Sequence, residues 1–358
     1  IAHCNGGSFI RSCFAHEPAR LEVALLGMQG LGKPGANQFK FMEWTLFGIP
    51  TLDPLPPSTH IPSLGAAYRG YVTGTKTSFI PKTMIPEAIM NPPVSWYGHI
   101  SAGLPREDQF DGPYTFPPEG GSRVHMIWSD SPCWETCWNG GFKMQDALRD
   151  ESIECVVVQH PWMENDTMFG DIILPSNTKF ECEDIGTDCD SGQWNVVYYE
   201  QRAIKPIGES KSDKEVVGEV AKKLEKFGGI YEDIYNKYNG GKTDDEWIRM
   251  GFDTSGVPED LTFEEFKEKQ SYVFPTREDW KDIPAGMREF HDDPEGHPLQ
   301  TPSGKMEYYS TTLAHHFPND KIRGPIPHWI DEGDGHQERQ YLERGRKYPF
   351  LIVSNHPH

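Results

Sequence analysis

Two short apolar runs, 155–158 (CVVV) and 172–174 (IIL), end abruptly in polar or turn-forming residues, and they constrain the fold more than any other feature. A strand covered on both faces by helices reads as continuous Val, Ile and Leu, which is the signature of a parallel sheet. The first run is followed by Gln159, His160, Trp162, Asn165 and Asp166, and the second closes on Pro175. In open α/β sheets ligands sit just beyond the carboxyl ends of the strands. The polar cluster after residue 158 is therefore where a nucleotide-like ligand is expected. Around it the pattern predicts strands at 124–128, 153–158, 171–174 and 196–200, with a helix at 143–149. Alternation of this kind predicts a Rossmann-like parallel sheet over 123–205 with helices on both faces, an α/β fold.

Charge narrows the function. The chain has 358 residues, 54 acidic against 34 basic, and a formal net charge of -20. Such a field repels nucleic acid and anionic membrane surfaces, so neither is an expected partner. No run approaches the ~18 apolar residues of a membrane span. Seven cysteines at irregular spacing do not make a disulfide framework and point to a reducing compartment, the cytoplasm. Cys133 and Cys137 lie in CWETC, but zinc and iron–sulfur sites need four ligands from paired motifs, and there is no second pair. Their thiols read as buried or pocket-wall groups. The acidic runs at 292–293 and 331–334 read as solvated loops. The chain opens inside apparent structure at Ile1 and ends on a strand at 350–353 with nothing following to pair with it. It reads as an interior fragment of a longer protein, with an upstream signal peptide left open.

Residues 16–30 carry helical spacing and run into Gly30-Leu31-Gly32-Lys33-Pro34-Gly35, a turn-rich loop. The stretch 50–122 is rich in Pro and Gly yet studded with Tyr, Trp and Phe, which favours an ordered, pocket-lining or partner-facing segment over disorder. Ser212 and Glu215 form a capping box that opens a helix to 227, and 261–266 is a similar helix start. Four parts are expected: 1–122, a cofactor-binding α/β part with the aromatic insert; 123–230, a dinucleotide-binding region; 231–345, helical and irregular; and 346–358, the first strand of a β-barrel-like domain.

Several blocks in order resemble the molybdopterin oxidoreductases of the dimethyl sulfoxide reductase superfamily. They are END-T and GDIILP at 164–175 with Glu181, MIWSDSP at 126–132, TPSGKMEYYS at 301–310, and YPFLIV at 348–353, with the loop at 30–35 in support. Segments 16–35, QHPWMEND at 159–166 and SNHPH at 354–358 bring the chain nearest the polyphenol transhydroxylases of that superfamily. The resemblance implies molybdenum held by two molybdopterin guanine dinucleotides, polyhydroxylated benzenes as substrate, and a small partner subunit that carries iron–sulfur clusters. It places the metal ligand upstream of Ile1, so no metal ligand is assigned here.

The expected cofactor contacts are Ser129, Ser131 and Pro132 by the same resemblance, Gln159, His160, Asn165 and Asp166 by their place after a buried strand at the sheet's carboxyl end, and Asn355 and His356 in the terminal tip. Ser131 stands where the family has Asn. The alternative for Asn165 and Asp166 is capping of a short helix; for 354–358 it is a plain turn. Flat phenols are held by aromatic walls with converging polar groups, and their proton traffic suits His or Tyr. Tyr68, Tyr71, His99 and Trp162 are the catalytic candidates, with Trp96 and Tyr97 as pocket walls. Core packing is the competing role for each ring, and a structural role competes for His99. Two other functions stay open: another bis-molybdopterin reductase or hydratase, and a non-catalytic nucleotide-binding or docking module. An oxyanion substrate calls for converging cations, whereas 68–114 offers only Arg69, Lys76, Lys82 and Arg106, scattered.

Overall fold

The computed structural model describes residues 16–40, 80–96, 113–138, 140–187, 195–282 and 287–330, with 2–5, 14, 59–60, 64, 346–347 and 350 as shorter pieces. Two compact units divide the chain: Ile1–Phe47, Gly103–Glu107 and Glu278–His358 form unit 1, and Gly48–Ala102 with Asp108–Arg277 form unit 2.

In unit 1, strands β1 (Ala2–Asn5) and β2 (Asn37–Lys40) pair in parallel and are joined through helix α1 (His16–Met28). The glycine loop after α1 is a packing turn. Lys33 N–H donates to the Gly30 carbonyl at 2.9 Å, and a Cβ on Gly32 would stand 1.9 Å from the Met287 carbonyl oxygen. Only glycine fits that position, where φ is +80°. The TPSGKME stretch is likewise a closed turn, with Gly304 N–H on the Thr301 carbonyl at 2.9 Å and Thr301 Oγ1 on the Lys305 carbonyl at 2.7 Å.

Unit 2 opens with helix α2 (Ile85–Met90) and the antiparallel pair β3 (Val94–Trp96) and β4 (Tyr114–Phe116). The expected parallel sheet follows as β5 (Met126–Ser129), β6 (Cys155–His160) and β7 (Ile172–Pro175), in the order β5-β6-β7. Helices α3 (Trp134–Cys137) and α4 (Gly141–Leu148) connect β5 to β6. Met144, Ala147 and Leu148 recur at helical spacing on α4 and bury against Ile127, Val156 and Val158, with Ile89 of α2 completing that face.

One strand departs from expectation. Segment 196–200 does not join the parallel sheet. It forms β9 (Val196–Glu200), the centre of an antiparallel sheet with β8 (Asp184–Thr187) and β10 (Ser271–Val273). Val197 and Tyr199 point into the core while Val196, Tyr198 and Glu200 are only half-buried. That period of two marks a strand with one wet face. In VVYYE the amphipathic Tyr198 on the outer face masks the alternation.

Helices α5 (Asp213–Leu224), α6 (Ile234–Asn239), α7 (Asp244–Thr254) and α8 (Phe263–Lys269) complete the unit. Capping boxes start three of them: Ser212/Glu215, Thr243/Glu246 and Thr262/Glu265. A second core joins Ile185, Val197 and Tyr199 of the antiparallel sheet to Ile248 and Phe252 of α7 and Phe266 of α8. Among the described residues no helix is long and apolar enough to cross a membrane.

Candidate functional site

Beyond the carboxyl edge of the parallel sheet, within unit 2, lies a cavity of about 1290 Å³. Asp130 reaches it from the end of β5, His160 and Trp162 from the end of β6, and Asn177 and Lys179 from the segment after β7. The start of α5 (Asp213, Lys214) and α7 form the opposite wall. Acidic groups dominate the lining. Lys179 is taken by Glu200 at 3.3 Å and Asp184 at 3.8 Å, and Lys214 is paired with Asp244. Arg202 lines the cavity without an ion pair among the described residues. The Asn177 Oδ1 is buried without a hydrogen-bond partner.

The structure places the sequence-predicted residues differently. His160 and Trp162 face the cavity; Trp162 is 65% exposed, and its backbone N–H donates to His160 Nδ1 at 3.2 Å. Gln159 borders the cavity but is committed to structure. Its Oε1 accepts from Trp128 Nε1 at 3.0 Å, and its Nε2 donates to Asp213 Oδ1 at 2.6 Å, where Ser176 Oγ also donates at 2.8 Å. That network ties β5, β6 and the residue just after β7 to the first turn of α5. Ser129 is buried, with an unpartnered Oγ, and Ser131 is exposed on the turn above it.

Asp166 and Pro132 form a clasp. The Asp166 carboxylate accepts the backbone N–H groups of Trp134 at 2.7 Å and Glu135 at 3.1 Å, while the Asp166 N–H donates to the Pro132 carbonyl at 3.0 Å. The free N–H groups at the start of a helix are met by capping side chains, by water or by a ligand's anion. On α3 the protein's own carboxylate, 5% exposed, fills that place. The geometry thus favours the capping alternative for Asp166, although the helix it caps lies about one strand earlier than expected. Burial pushes its carboxyl up, opposed by those two N–H groups. Asn165 is exposed at the start of the short 3-10 helix Asn165–Phe169.

Trp96 is outside the cavity lining. It lies half-buried on β3, stacked on Tyr114 at 6.3 Å between ring centroids and packed against the Ala88, Val94 and Phe116 cluster. This is the packing role that competed with a pocket-wall role. Tyr68, Tyr71, Tyr97, His99, Asn355 and His356 lie outside the described residues. Asp130 and Asn177 also line the cavity, and the sequence reading did not single them out. Applying the strand-end rule to β7 as well as β6 finds Asn177, and Asp130 sits between two residues already singled out.

No family model matches the chain. Over 98% of its length it is 27% identical to the pyrogallol hydroxytransferase large subunit of Pelobacter acidigallici. Over 58% it is 29% identical to a dimethyl sulfoxide reductase of Escherichia coli (strain K12), and over 94% it is 25% identical to the dimethyl sulfoxide/trimethylamine N-oxide reductase of Rhodobacter capsulatus. All three similarities point the same way, toward a pyrogallol hydroxytransferase and reductases of dimethyl sulfoxide and trimethylamine N-oxide. The chain spans 44%, 24% and 37% of those three proteins. The acetylene hydratase of Pelobacter acetylenicus superposes on 64% of this chain and 27% of its own, at 18% identity and a TM-score of 0.40, too loosely to carry an argument.

The superfamily-like motif residues turn out to be fasteners of the sheet. Asp171 Oδ2 accepts the Val156 N–H at 2.8 Å, and its own N–H donates to the Val156 carbonyl at 2.8 Å, locking the start of β7 to β6. Glu181 accepts from Thr178 N–H at 2.8 Å, Thr178 Oγ1 at 2.7 Å and Ile207 N–H at 2.6 Å. The Thr178 bonds first, then the Ile207 N–H, hold its carboxyl below the usual value of 4.5. A depressed folded value contributes stability that is present above 4.5 and lost as pH falls through the folded value. Glu181→Gln is therefore expected to flatten the acid limb of a urea-midpoint-against-pH profile below pH 4.5, relative to the wild type. Parallel acid limbs in the two proteins would contradict this.

The CWETC pair is a thiol pair. Burial first, then a hydrogen bond with Cys137, pushes the Cys133 thiol up to about 11. Among the described residues no group of three or more His, Cys, Asp or Glu could hold a metal.

Proposed function

We propose that this chain is part of the catalytic subunit of a molybdenum enzyme that transfers hydroxyl groups between polyhydroxylated benzenes, of the pyrogallol to phloroglucinol type. The observation that carries the reading is the extent of similarity: 98% of the chain aligns with the pyrogallol hydroxytransferase large subunit. In this reading the cavity holds the nucleoside end of a molybdopterin guanine dinucleotide. Its lining fits that end. A guanine presents imino and amino donors, and the carboxylate of Asp130 and the unpartnered Oδ1 of Asn177 are acceptors at the sheet's carboxyl edge. The exposed ring of Trp162 offers a stacking surface at the same edge. Arg202, without an ion pair among the described residues, is a cation available to a phosphate.

When bound, the molybdenum cofactor supplies the redox chemistry at the substrate's C–O bond. The described residues supply the binding: acceptors for a base, an aromatic wall, and strand ends fixed by the Gln159–Asp213 network. Tyr68, Tyr71 and His99, with Tyr97, remain the proposed phenol-handling groups. A small iron–sulfur subunit and a cytoplasmic location complete the proposal. A second reading, reduction of an S-oxide or N-oxide, draws on the relatives with those names.

The test is turnover by the anaerobically purified parent enzyme. Pyrogallol with a tetrahydroxybenzene co-substrate is expected to give phloroglucinol, with dimethyl sulfoxide and trimethylamine N-oxide inert. Reduction of either oxide without phenol turnover would replace this reading with the second.

A further inference from the structure

In unit 1, one histidine points both ring nitrogens at carbonyl oxygens. His328 Nε2 lies 2.7 Å from the Lys321 carbonyl, and Nδ1 lies 3.2 Å from the Ile326 carbonyl. Carbonyl oxygens only accept, and a neutral imidazole has a single N–H. Both bonds therefore require the imidazolium. We propose that residues 321–328 form a proton-operated latch against α1, held in its closed shape by protonated His328 and released as that ring loses its proton.

The other side of the latch is the first turn of α1, built around one buried carboxylate. Glu17 is 3% exposed; its Oε2 accepts the His328 backbone N–H at 2.8 Å and lies 3.8 Å from His328 Nδ1. Its Oε1 accepts from Arg20 Nη1 at 2.6 Å and lies 3.3 Å from His16 Nε2. These same side chains grip the loop's remaining carbonyls. His16 Nε2 is 3.1 Å from the Ile322 carbonyl, and Arg20 Nη2 donates to the Gly324 carbonyl at 3.0 Å. Four carbonyls between residues 321 and 326 thus face cationic or potentially cationic donors. The fit is close, since a Cβ on Gly324 would stand 3.3 Å from the His328 ring.

The neighbouring charges leave His328 as the titrating element. Asp320 accepts the Ile322 and Arg323 N–H groups and the Arg323 guanidinium, which hold its carboxyl below the usual range, so it stays ionised near neutrality. Arg20 and Arg323 are permanent cations. Lys321 contributes its carbonyl. His16 holds the Ile322 carbonyl through Nε2, and the H16Q variant separates its part from that of His328. The Lys321 carbonyl first, then that of Ile326 with Glu17 beyond, raises the His328 value above 6.5. A raised folded value means the latch is fully fastened below 6.5 and loosens as pH rises through the folded value. Each unit of that elevation allows up to about a tenfold change in local opening.

Hydrogen exchange by mass spectrometry on the full chain, from about pH 6 to about pH 9 and corrected for intrinsic rates, tests this. Protection of peptides covering 320–328 is expected to fall across a step above pH 6.5, while peptides of the parallel sheet show none. In H328Q the protection is expected to be low throughout and without the step; H16Q is expected to keep it. A flat wild-type profile, or a step that survives in H328Q, overturns the latch. Should H328Q fail to fold, ring titration of His328 by NMR in the wild type decides: a value at or below 6.5 overturns it.

Discussion

Phe252→Ala is expected to destabilise unit 2 by about 3–5 kcal/mol, the range for removing a large buried aromatic ring. Phe252 is 2% exposed and stands one turn after Ile248 on the inner face of α7. Its ring centroid lies 5.1 Å from that of Phe263 and 5.3 Å from that of Phe266, so it joins α7 to α8. The same cluster holds Ile185 and Val197, so the ring also anchors the antiparallel sheet. Alanine would leave a void walled by two further rings, which cannot collapse without moving both helices. Phe227→Ala is the control: that ring is 77% exposed, and its loss is expected to stay within about 0.5 kcal/mol. Urea midpoints at unchanged slope measure both. A Phe252→Ala loss below about 1 kcal/mol would mean that this core is not the one that holds the unit together.

Legibility in the sequence followed physical range. The run at 155–158 was readable because a strand buried on both faces has one pattern, and β6 is that strand. Capping boxes were readable because both partners lie within four residues, and Ser212/Glu215 and Thr262/Glu265 form as the spacing predicts. The strand at 196–200 was readable as a strand but not as to its sheet, because its partners, 184–187 and 271–273, are chosen by tertiary packing. The same limit applied at the site. The carboxyl-edge rule located the cavity and found His160 and Trp162. It could not show that Gln159 was already taken, since its partners Trp128 and Asp213 are 31 and 54 residues away.

Asp166 is where this distinction has its largest experimental consequence. The polar cluster after β6 suggested a carboxylate that touches the cofactor directly. The geometry instead gives it two backbone N–H groups of α3, 31 and 32 residues upstream, so it holds the turn after β5 against the turn after β6. Asp166→Ala would orphan both N–H groups in a half-buried place, at about 1–3 kcal/mol for an unsatisfied buried group. Asp166→Asn keeps one acceptor oxygen and is expected to lose less. Asp130 and Ser131 lie on the tethered turn, so loosening it also disorders an acceptor proposed to face the nucleotide. In the parent enzyme the expected order of bound nucleotide is therefore wild type, then Asn, then Ala, with increased exchange of the 133–137 amides in the same order. Nucleotide loss without any change in stability or exchange would restore the direct-contact role. Unchanged stability, exchange and occupancy in the Ala variant would show that the clasp does not hold the edge.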